Sequence, residues 1–312
     1  THLKWLEWMA DYYIHPLGQV AELCFPPLEK AKQARKSSRP SVVPNVQRKM
    51  QHQLNSEQQI CVDAIYKRKG FSTHLVHGVT GSGKTEVYLE LFEKTMSEGK
   101  RGLFLLPEIS LTPQLIHRFA ERFGDQIAVL HSQLTDRERT TQWWDITEGR
   151  KNILIGARSA IFCPIENIGL IVVDEEHEPS FKQDEKLKYN GRDCAIMLGH
   201  FNKCPVVLGS ATPCLDSWKN AQDQKFTLHQ IKNRVNNRPL PDIEVVDMRL
   251  EKDLEKLSPE KPSWLSQKLY NEMKITLEKN KQVALLLNRR GIAQTVFCPS
   301  CGHTAECPNC DI

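Results

Sequence analysis

The chain has 312 residues, of which 42 are Lys or Arg, 38 are Asp or Glu, and 40% are hydrophobic. At about 100–200 residues per domain, this length predicts about two domains, and the charged fraction of 26% is typical of a soluble globular protein. The composition excludes collagen-like, coiled-coil, transmembrane and secreted disulfide-scaffold proteins. Cysteines scattered singly along much of the chain favour reduced thiols and a cytoplasmic location.

The first 14 residues predict an amphipathic helix, because Leu3, Leu6, Met9 and Tyr13 recur at helical spacing. We expect its broad aromatic side to pack against a neighbour. Between Lys30 and Ser56 there is no acidic residue, and we predict a basic, extended linker over 29–53. Two interpretations of this linker remain open: a solvated tether, or a segment that contacts phosphate groups.

From residue 54 onward, short apolar runs alternate with amphipathic stretches. Nearly continuous apolar strands that alternate with helices indicate an α/β fold, in which helices cover both faces of a parallel sheet. A charged, proline-containing stretch at 250–262 precedes a further helix at 264–279 and a strand at 282–288. The other predicted helices include 83–98 and 112–123, and the other predicted strands are 74–78, 102–107, 127–131, 152–156, 169–174 and 205–210.

Residues 78–85 read GVTGSGKT and lie between a predicted strand and a predicted helix. This is the phosphate-binding pattern G-x-x-x-x-G-K-[ST]. Gly81 and Gly83 let the backbone curl so that its N–H groups face phosphates, and the following helix N-terminus adds partial positive charge. Lys84 can neutralise the β- and γ-phosphates, and the Thr85 hydroxyl can ligate Mg²⁺. The sequence therefore predicts an ATP site built from Gly78, Val79, Thr80, Gly81, Ser82, Gly83, Lys84 and Thr85.

A second part of the same site is predicted from LIVVDEEH at 170–177. Its apolar residues indicate a buried strand that delivers Asp174 and Glu175 to its carboxyl end, where ligands bind in open parallel sheets. Asp174 is placed to hold Mg²⁺, and Glu175 to position and polarise the attacking water. For His177 alone, a structural hydrogen bond and a role in the site are both open.

The segment after this acidic cluster, residues 178–192, mixes aromatic and cationic side chains, among them Phe181, Lys182 and Tyr189. Such a mixture suits single-stranded nucleic acid, because bases stack on aromatic rings while cations neutralise phosphates. We predict a DNA-contacting loop, and the alternative is a solvated surface loop.

Four cysteines lie close together in CPSCGHTAECPNC at 298–310. Each C-x-x-C pair supplies half of a tetrahedral zinc site, so we predict that Cys298, Cys301, Cys307 and Cys310 bind Zn²⁺. Which pairs combine stays open at this point, and one arrangement has all four share one ion.

Several of these strings together resemble the motif series of the PriA family of replication-restart DNA helicases, in superfamily 2. The resemblance covers residues 54–312, and residues 1–28 resemble the tail of that family's 3′-DNA-binding domain. It implies a RecA-like helicase lobe at 54–235, the start of a second RecA-like lobe at 236–297 and an incomplete zinc module at 298–312. The strings are GVTGSGKTEVYL, LPEISLTPQ, IGARSAIF, DEEHEPSFKQ, YNGRDCA, GSATP, VVDMR and LNRRG.

The resemblance implies an ATP- and Mg²⁺-dependent 3′→5′ DNA helicase that recognises stalled or abandoned replication forks and initiates primosome assembly. By position, it implies that His177 belongs to a DEEH box and that Ser210 and Thr212 couple hydrolysis to DNA movement. It also implies that Arg158 contacts DNA phosphate and that Gln58 contacts adenine. In the family, eight cysteines bind two zinc ions. The implied partners are forked and single-stranded DNA, single-stranded DNA-binding protein and other primosome proteins.

Two other functions remain open from the sequence: a zinc-containing fork-binding scaffold with little ATPase activity, and another superfamily 2 DNA translocase. The phosphate loop and the DEEH box favour the helicase over the scaffold. We also expect the 312-residue chain on its own to hydrolyse ATP poorly, because an arginine supplied by a second lobe usually completes such a site.

Overall fold

The computed structural model describes residues 1–26, 53–234, 242–248 and 264–286. The chain divides into two compact units, Thr1–Arg238 and Pro239–Ile312. In the second unit, helix α9 (Gln267–Glu278) begins at Ser266, whose Oγ accepts a hydrogen bond from the N–H of Leu269 at 3.0 Å. The first unit contains helices α1 (His2–Tyr12), α2 (Leu17–Glu22), α3 (Ser56–Lys67), α4 (Lys84–Ser97), α5 (Pro113–Phe123), α6 (Asp136–Thr147), α7 (Gly191–Asn202) and α8 (Leu215–Gln222).

The strands of the first unit are β1 (Ser72–Gly78), β2 (Arg101–Leu105), β3 (Ile127–Leu130), β4 (Ile153–Gly156), β5 (Ile168–Asp174), β6 (Lys182–Gln183), β7 (Tyr189–Asn190), β8 (Pro205–Ser210) and β9 (Thr227–Ile231). Seven of them form one sheet in the order β3-β4-β2-β5-β8-β1-β9, and every pair in it is parallel. Because all these strands point the same way, their carboxyl ends meet at one edge of the sheet, where open α/β sheets bind ligands. The short strands β6 and β7 form a separate antiparallel pair.

Two hydrophobic cores lie on opposite faces of the sheet, because successive side chains of a strand point to opposite sides. On one face, Val76, Phe104 and Val172 pack with apolar side chains of α3, α4 and α5. On the other face, Leu75 and Val173 pack with those of α1 and α7. With both faces covered, the strands are apolar almost throughout, which is the pattern that the sequence shows.

Helix α1 is part of this lobe. Trp5 is fully buried, its Nε1 donates to the carbonyl of Cys194 on α7 at 3.1 Å, and its ring centroid lies 5.7 Å from that of Phe162. The aromatic side of the helix therefore finds its predicted neighbour in α7. Residues 1–28 are predicted to be the tail of an N-terminal DNA-binding domain, and that assignment stays a prediction. The described residues 1–26 share the hydrophobic core of the lobe.

The predicted α/β fold is confirmed, and all six strands predicted between 74 and 210 are present, with ends shifted by at most two residues. Strand β9 was missed, because His229 and Gln230 interrupt its apolar pattern. Of the strand predicted at 282–288, the described residues 282–286 form no strand. Most of the predicted linker and all of residues 298–312 lie outside the described residues. In the part of the chain that the structure describes, no helix is long and apolar enough to cross a membrane.

Helix α3 holds the segment that follows β9 by hydrogen bonds. The Glu57 carboxylate, in the first turn of α3, accepts hydrogen bonds from the N–H groups of Lys232 and Asn233 at 3.0 and 3.2 Å. It also accepts one from Nδ2 of Asn233 at 2.9 Å. The segment that follows β9 is therefore tied to the start of α3.

Candidate ATP-binding and helicase site

The phosphate loop lies between β1 and α4, as predicted. Gly81 and Gly83 adopt φ of +80° and +78°, a region that side chains disfavour. A Cβ on Gly78 would lie 2.6 Å from Ser82 Oγ, so the tight curl of the loop requires glycine there too. Lys84 is 9% exposed, and its Nζ donates to the Gly78 carbonyl at 2.9 Å, across the mouth of the loop.

The loop has the features of a phosphate cradle. Ser82 Oγ is buried and has no hydrogen-bond partner among the described residues. A buried hydroxyl without a partner is costly, and a phosphate oxygen would satisfy it. The N-terminus of α4 and the ammonium group of Lys84 supply positive charge at the same place. The residues present therefore fit a nucleotide phosphate.

The acidic pair lies at the carboxyl end of β5. Asp174 Oδ1 accepts a hydrogen bond from the Tyr88 hydroxyl on α4 at 3.0 Å. Burial, and then the negative charge of Glu175, raise the pKa of Asp174 to about 6, while the positive charge of Lys84 opposes the shift. A carboxylate that is destabilised in this way fits a divalent cation, which favours the ionised form.

His177 and Ser210 join the DEEH box to the end of the neighbouring strand β8. Ser210 Oγ lies 2.8 Å from His177 Nδ1 and accepts the N–H of Thr212 at 2.9 Å. His177 Nδ1 also lies 3.6 Å from Glu175 Oε2. The structure therefore brings together His177, Ser210 and Thr212, and for His177 it shows the structural hydrogen bond that the sequence left open. Their role in coupling stays a prediction.

Gln58 lies directly beneath the phosphate loop. It is 3% exposed, its Nε2 donates to the Ser82 carbonyl at 2.8 Å, and its Oε1 accepts the N–H of Asn55 at 2.9 Å. The reciprocal bond from the Gln58 N–H to Asn55 Oδ1 completes a capping box at the start of α3. The predicted adenine contact stays a prediction, and the observed role of the Gln58 amide is to support the loop.

Arg158 holds the loop that follows the DEEH box. Its guanidinium donates to the Ser180 carbonyl at 3.0 Å and to the Lys182 carbonyl and Gln183 Oε1. It also lies over the Tyr189 ring, 5.6 Å from the centroid. Arg158 was predicted to contact DNA phosphate; in the structure its hydrogen bonds go to the protein's own loop.

The base-stacking role predicted for Phe181 and Tyr189 does not fit their burial. Phe181 is 2% exposed and Tyr189 is 5% exposed, and the Tyr189 ring makes an edge contact with Phe162 at 5.2 Å. Both rings belong to the hydrophobic core on this face of the sheet, where burial of aromatic surface is favourable. Tyr189 begins β7, and Phe181 ends the short 3₁₀ turn Pro179–Phe181 that precedes β6. The aromatic rings and Leu187 point into the core, while Lys182, Lys186 and Lys188 point to solvent.

Sequence reasoning missed two residues of the site. Tyr88 lies one helical turn beyond Lys84, and that spacing is a signal that it shares a face with the phosphate loop. Glu176, the third residue of the DEEH box, is 2% exposed and is surrounded by hydrogen-bond donors. An acidic residue next to a buried strand is such a signal, since buried carboxylates need partners.

Neither of the two metal predictions is tested by the described residues. The predicted zinc ligands Cys298, Cys301, Cys307 and Cys310 lie outside the described residues. Within the described ranges, no group of three or more His, Cys, Asp or Glu is placed to hold a metal ion. Thr85 and Asp174 remain the candidates for Mg²⁺, which takes most of its ligands from phosphate and water in nucleotide sites.

Comparison with known proteins places the chain in a family. Residues 55–220, more than half of the chain, match the DEAD/DEAH box helicase family. Replication restart protein PriA of Bacillus subtilis is 44% identical over 262 residues, which are 83% of this chain and 32% of that protein. PriA of Rickettsia felis is 40% identical over 314 residues, which are 99% of this chain and 46% of that protein.

The chain thus spans less than half the length of these two relatives. Among solved structures, RecG bound to a three-way DNA junction matches 61% of this chain and 25% of its own, with 22% identity and a TM-score of 0.47. The resemblance to PriA helicases that the motifs indicated is confirmed by the curated relatives. From the family match and the phosphate loop and DEEH box that the fold brings to one edge, the chain belongs to the DEAD/DEAH box helicase family.

Proposed function

We propose that the chain carries the ATP-binding lobe of a replication-restart DNA helicase, which hydrolyses ATP to move along DNA. The observation that carries the proposal is the placement of two strand ends. The phosphate loop follows β1 and the Asp174–Glu175 pair ends β5, and only β8 lies between these strands in the sheet. Tyr88 joins the two halves directly, through its hydrogen bond to Asp174.

Each side chain of the site has a distinct task in this proposal. Lys84 binds the β- and γ-phosphates, in exchange for its present bond to the Gly78 carbonyl. Thr85 and Asp174 would hold Mg²⁺, which would neutralise charge on the phosphates. The Glu175 side chain is 33% exposed, so water can reach it, and its carboxylate positions and polarises the attacking water.

The DNA-contacting surface in this proposal is cationic rather than aromatic. Lys182, Lys186 and Lys188 are exposed on the loop that leaves the DEEH box. Ammonium groups at such positions neutralise phosphates with no preference for base sequence. Lys182 Nζ lies 3.3 Å from Asp184 Oδ1, but an ion pair this exposed contributes little and exchanges readily for a phosphate.

The relatives that support the substrate are named replication restart proteins. We therefore propose forked and single-stranded DNA as the substrate, 3′→5′ movement, and single-stranded DNA-binding protein and other primosome proteins as partners. Zinc bound by Cys298, Cys301, Cys307 and Cys310 belongs to the same proposal, with metal analysis of the purified protein as its test. A cytoplasmic location at the fork follows from this role.

The deciding experiment measures ATP hydrolysis and strand displacement by the complete protein on a forked DNA, with and without Mg²⁺. We expect hydrolysis that DNA stimulates and that requires Mg²⁺, together with unwinding. Tight fork binding without turnover would instead identify the zinc-containing scaffold. ATP hydrolysis that double-stranded DNA stimulates, with no strand displacement, would identify another superfamily 2 translocase.

A further inference from the structure

The Glu176 carboxylate is the centre of a buried polar cluster that the reaction itself does not use. Its side chain has no exposed surface. Glu176 Oε1 accepts the N–H of Cys214 at 2.9 Å, and Oε2 accepts the Ser217 hydroxyl at 2.8 Å. Arg192 Nη1 lies 3.2 Å from Oε2 and also contacts Cys214 Sγ. A buried carboxylate with these partners is held in one position, because losing any of them leaves a buried charge poorly satisfied.

The residue next to Glu176 has a strained backbone. Glu175 adopts φ of +48°, in the left-handed region that residues with a side chain disfavour. Such a conformation persists only where its surroundings enforce it. On the far side of the turn, the Glu176 N–H donates to the Gly209 carbonyl of β8 at 3.0 Å. The buried Glu176 side chain and this backbone bond together enforce the turn that points the Glu175 side chain to solvent.

The loop at 182–188, which carries Lys182, Lys186 and Lys188 and is called the cationic loop, lies next to this cluster. Arg192 lies in the first turn of α7, which follows β7 directly, and the exposed Lys188 immediately precedes β7. Its backbone N–H is capped by Asn190 Oδ1 at 3.0 Å, and its guanidinium reaches back to Glu176. The Arg192 guanidinium therefore links the start of α7, next to the loop, with the buried Glu176 carboxylate.

We infer that Glu176 is a positioning residue: together with Arg192, it sets the aim of the Glu175 carboxylate according to the position of the cationic loop. This inference rests on the proposed function, because it deepens the link between DNA and ATP hydrolysis. In this inference, a movement of the cationic loop reaches Glu176 through Arg192. Glu176 then acts on Glu175, because the two residues share a peptide bond.

The test measures ATP hydrolysis by the complete protein, with and without single-stranded DNA. Glu176→Gln keeps the size of the side chain but removes the charge opposite Arg192. We expect kcat with DNA to fall at least ten-fold, with KM for ATP within two-fold of the wild-type value, because no part of the phosphate loop contacts Glu176 in the described structure. Arg192→Gln should lower the stimulation by DNA at least five-fold, because it leaves the buried Glu176 carboxylate without its cation.

The double variant Glu176→Gln/Arg192→Gln should be no slower than Glu176→Gln alone, because both changes break one contact.

Arg122→Gln is the control for a general loss of stability: Arg122 is another buried arginine of this lobe, paired with Glu90 and Glu93 on α4. We expect it to lower Tm but to keep both kcat and stimulation. Ser217→Ala is a milder probe of the same carboxylate, with an expected three- to ten-fold loss of kcat, and it decides the matter if Glu176→Gln does not fold.

The inference is overturned if Glu176→Gln, or Ser217→Ala in its place, keeps kcat within two-fold. It is also overturned if Arg122→Gln lowers kcat as much as Glu176→Gln does at an equal loss of Tm. The same holds if the loss of kcat in the double variant equals the product of the losses in the two single variants. Glu175→Gln separates this from the proposed function. An active Glu175→Gln enzyme contradicts the proposed function itself, whereas an inactive Glu175→Gln enzyme beside a normal Glu176→Gln enzyme contradicts only the positioning role.

Discussion

The Tyr88 hydroxyl donates a hydrogen bond to Asp174 Oδ1 at 3.0 Å. Tyr88 belongs to the helix that begins at Lys84, and Asp174 ends the strand that carries the DEEH box. Tyr88 is fully buried, and its burial together with the neighbouring Asp174 charge raises its pKa well above the ordinary value for tyrosine. The hydroxyl therefore keeps its proton and acts as a permanent donor to Asp174.

Tyr88→Phe should raise the Mg²⁺ concentration needed for half-maximal ATP hydrolysis by about ten-fold, because a hydrogen bond to a charged group is worth about 1.5–3 kcal/mol. At saturating Mg²⁺, kcat should change little. The measurement is a Mg²⁺ titration of hydrolysis at fixed ATP. Tyr66→Phe is the matched control, since the Tyr66 hydroxyl also donates to a carboxylate, that of Glu98 at 2.6 Å, but on the surface. An equal Mg²⁺ requirement in the two variants would show that the Tyr88 bond does not position the metal ligand.

Lys84→Ala should abolish ATP turnover in the complete protein and leave the fold intact. The loss of the one ammonium group in the phosphate loop is expected to cost ~100-fold or more in kcat. The measurements are steady-state hydrolysis and Tm without nucleotide. Near-normal hydrolysis by this variant would contradict the assignment of the site.

Glu175→Gln should bind ATP with near-normal affinity and lose hydrolysis, because only the activation of water is removed. Binding of a fluorescent ATP analogue and single-turnover hydrolysis measure the two properties separately. Loss of binding and hydrolysis together would mean that Glu175 contributes to the nucleotide pocket itself.

In the cationic loop, substitutions of exposed lysines should affect DNA stimulation, whereas substitution of the neighbouring buried Phe181 should affect stability. Lys182→Ala combined with Lys186→Ala and Lys188→Ala should weaken the stimulation of hydrolysis by DNA and leave Tm unchanged, since all three side chains are exposed. Phe181→Ala should instead lower the stability of the lobe by about 3–5 kcal/mol, the usual cost of truncating a buried phenylalanine. DNA titrations of ATPase activity and thermal unfolding distinguish the two. If the triple lysine variant is stimulated normally, the loop is a solvated surface segment.

The lobe should lose stability on mild acidification. His74 Nδ1 lies 3.0 Å from His229 Nε2. Burial, and for His74 also the charges of His229 and Arg68, lower the pKa of His74 to about 3 and that of His229 to about 4, from 6.5. Both rings are therefore neutral in the fold but take up protons on unfolding below pH 6.5. The unfolded state binds more protons, so the free energy of unfolding falls as pH drops from 6.5 towards 4.

Denaturant unfolding of this chain at several pH values between 7 and 4.5 measures this effect. The uptake contributed by the pair approaches about two protons, which is a slope of about 2.7 kcal/mol per pH unit at its steepest. His74→Gln should reduce the uptake by about one proton, even though it lowers stability at pH 7. An unchanged uptake in that variant would contradict the neutral state of the His74 ring.

The sequence predicts the sheet and the phosphate loop well for a physical reason. Buried parallel strands are apolar on both faces, and only a few residue types fit a loop that encloses phosphate, as at Gly81 and Gly83. The composition of a segment does not show which of its side chains point into the core and which point to solvent. The loop with Phe181 and Tyr189 has the composition of a DNA-stacking surface, but both rings are buried in the core of the lobe. Glu176 escaped notice because its donors come from segments distant in sequence, at Arg192 and Ser217.

Two adjacent residues in the first turn of α3 contact two different parts of the lobe. Gln58 supports the phosphate loop through the Ser82 carbonyl, and Glu57 holds the N–H groups of Lys232 and Asn233 where the chain leaves the lobe. The first turn of α3, fixed by the Asn55 capping box, is therefore one support shared by the phosphate loop and by the segment that follows β9, and a substitution that unwinds this turn loosens both.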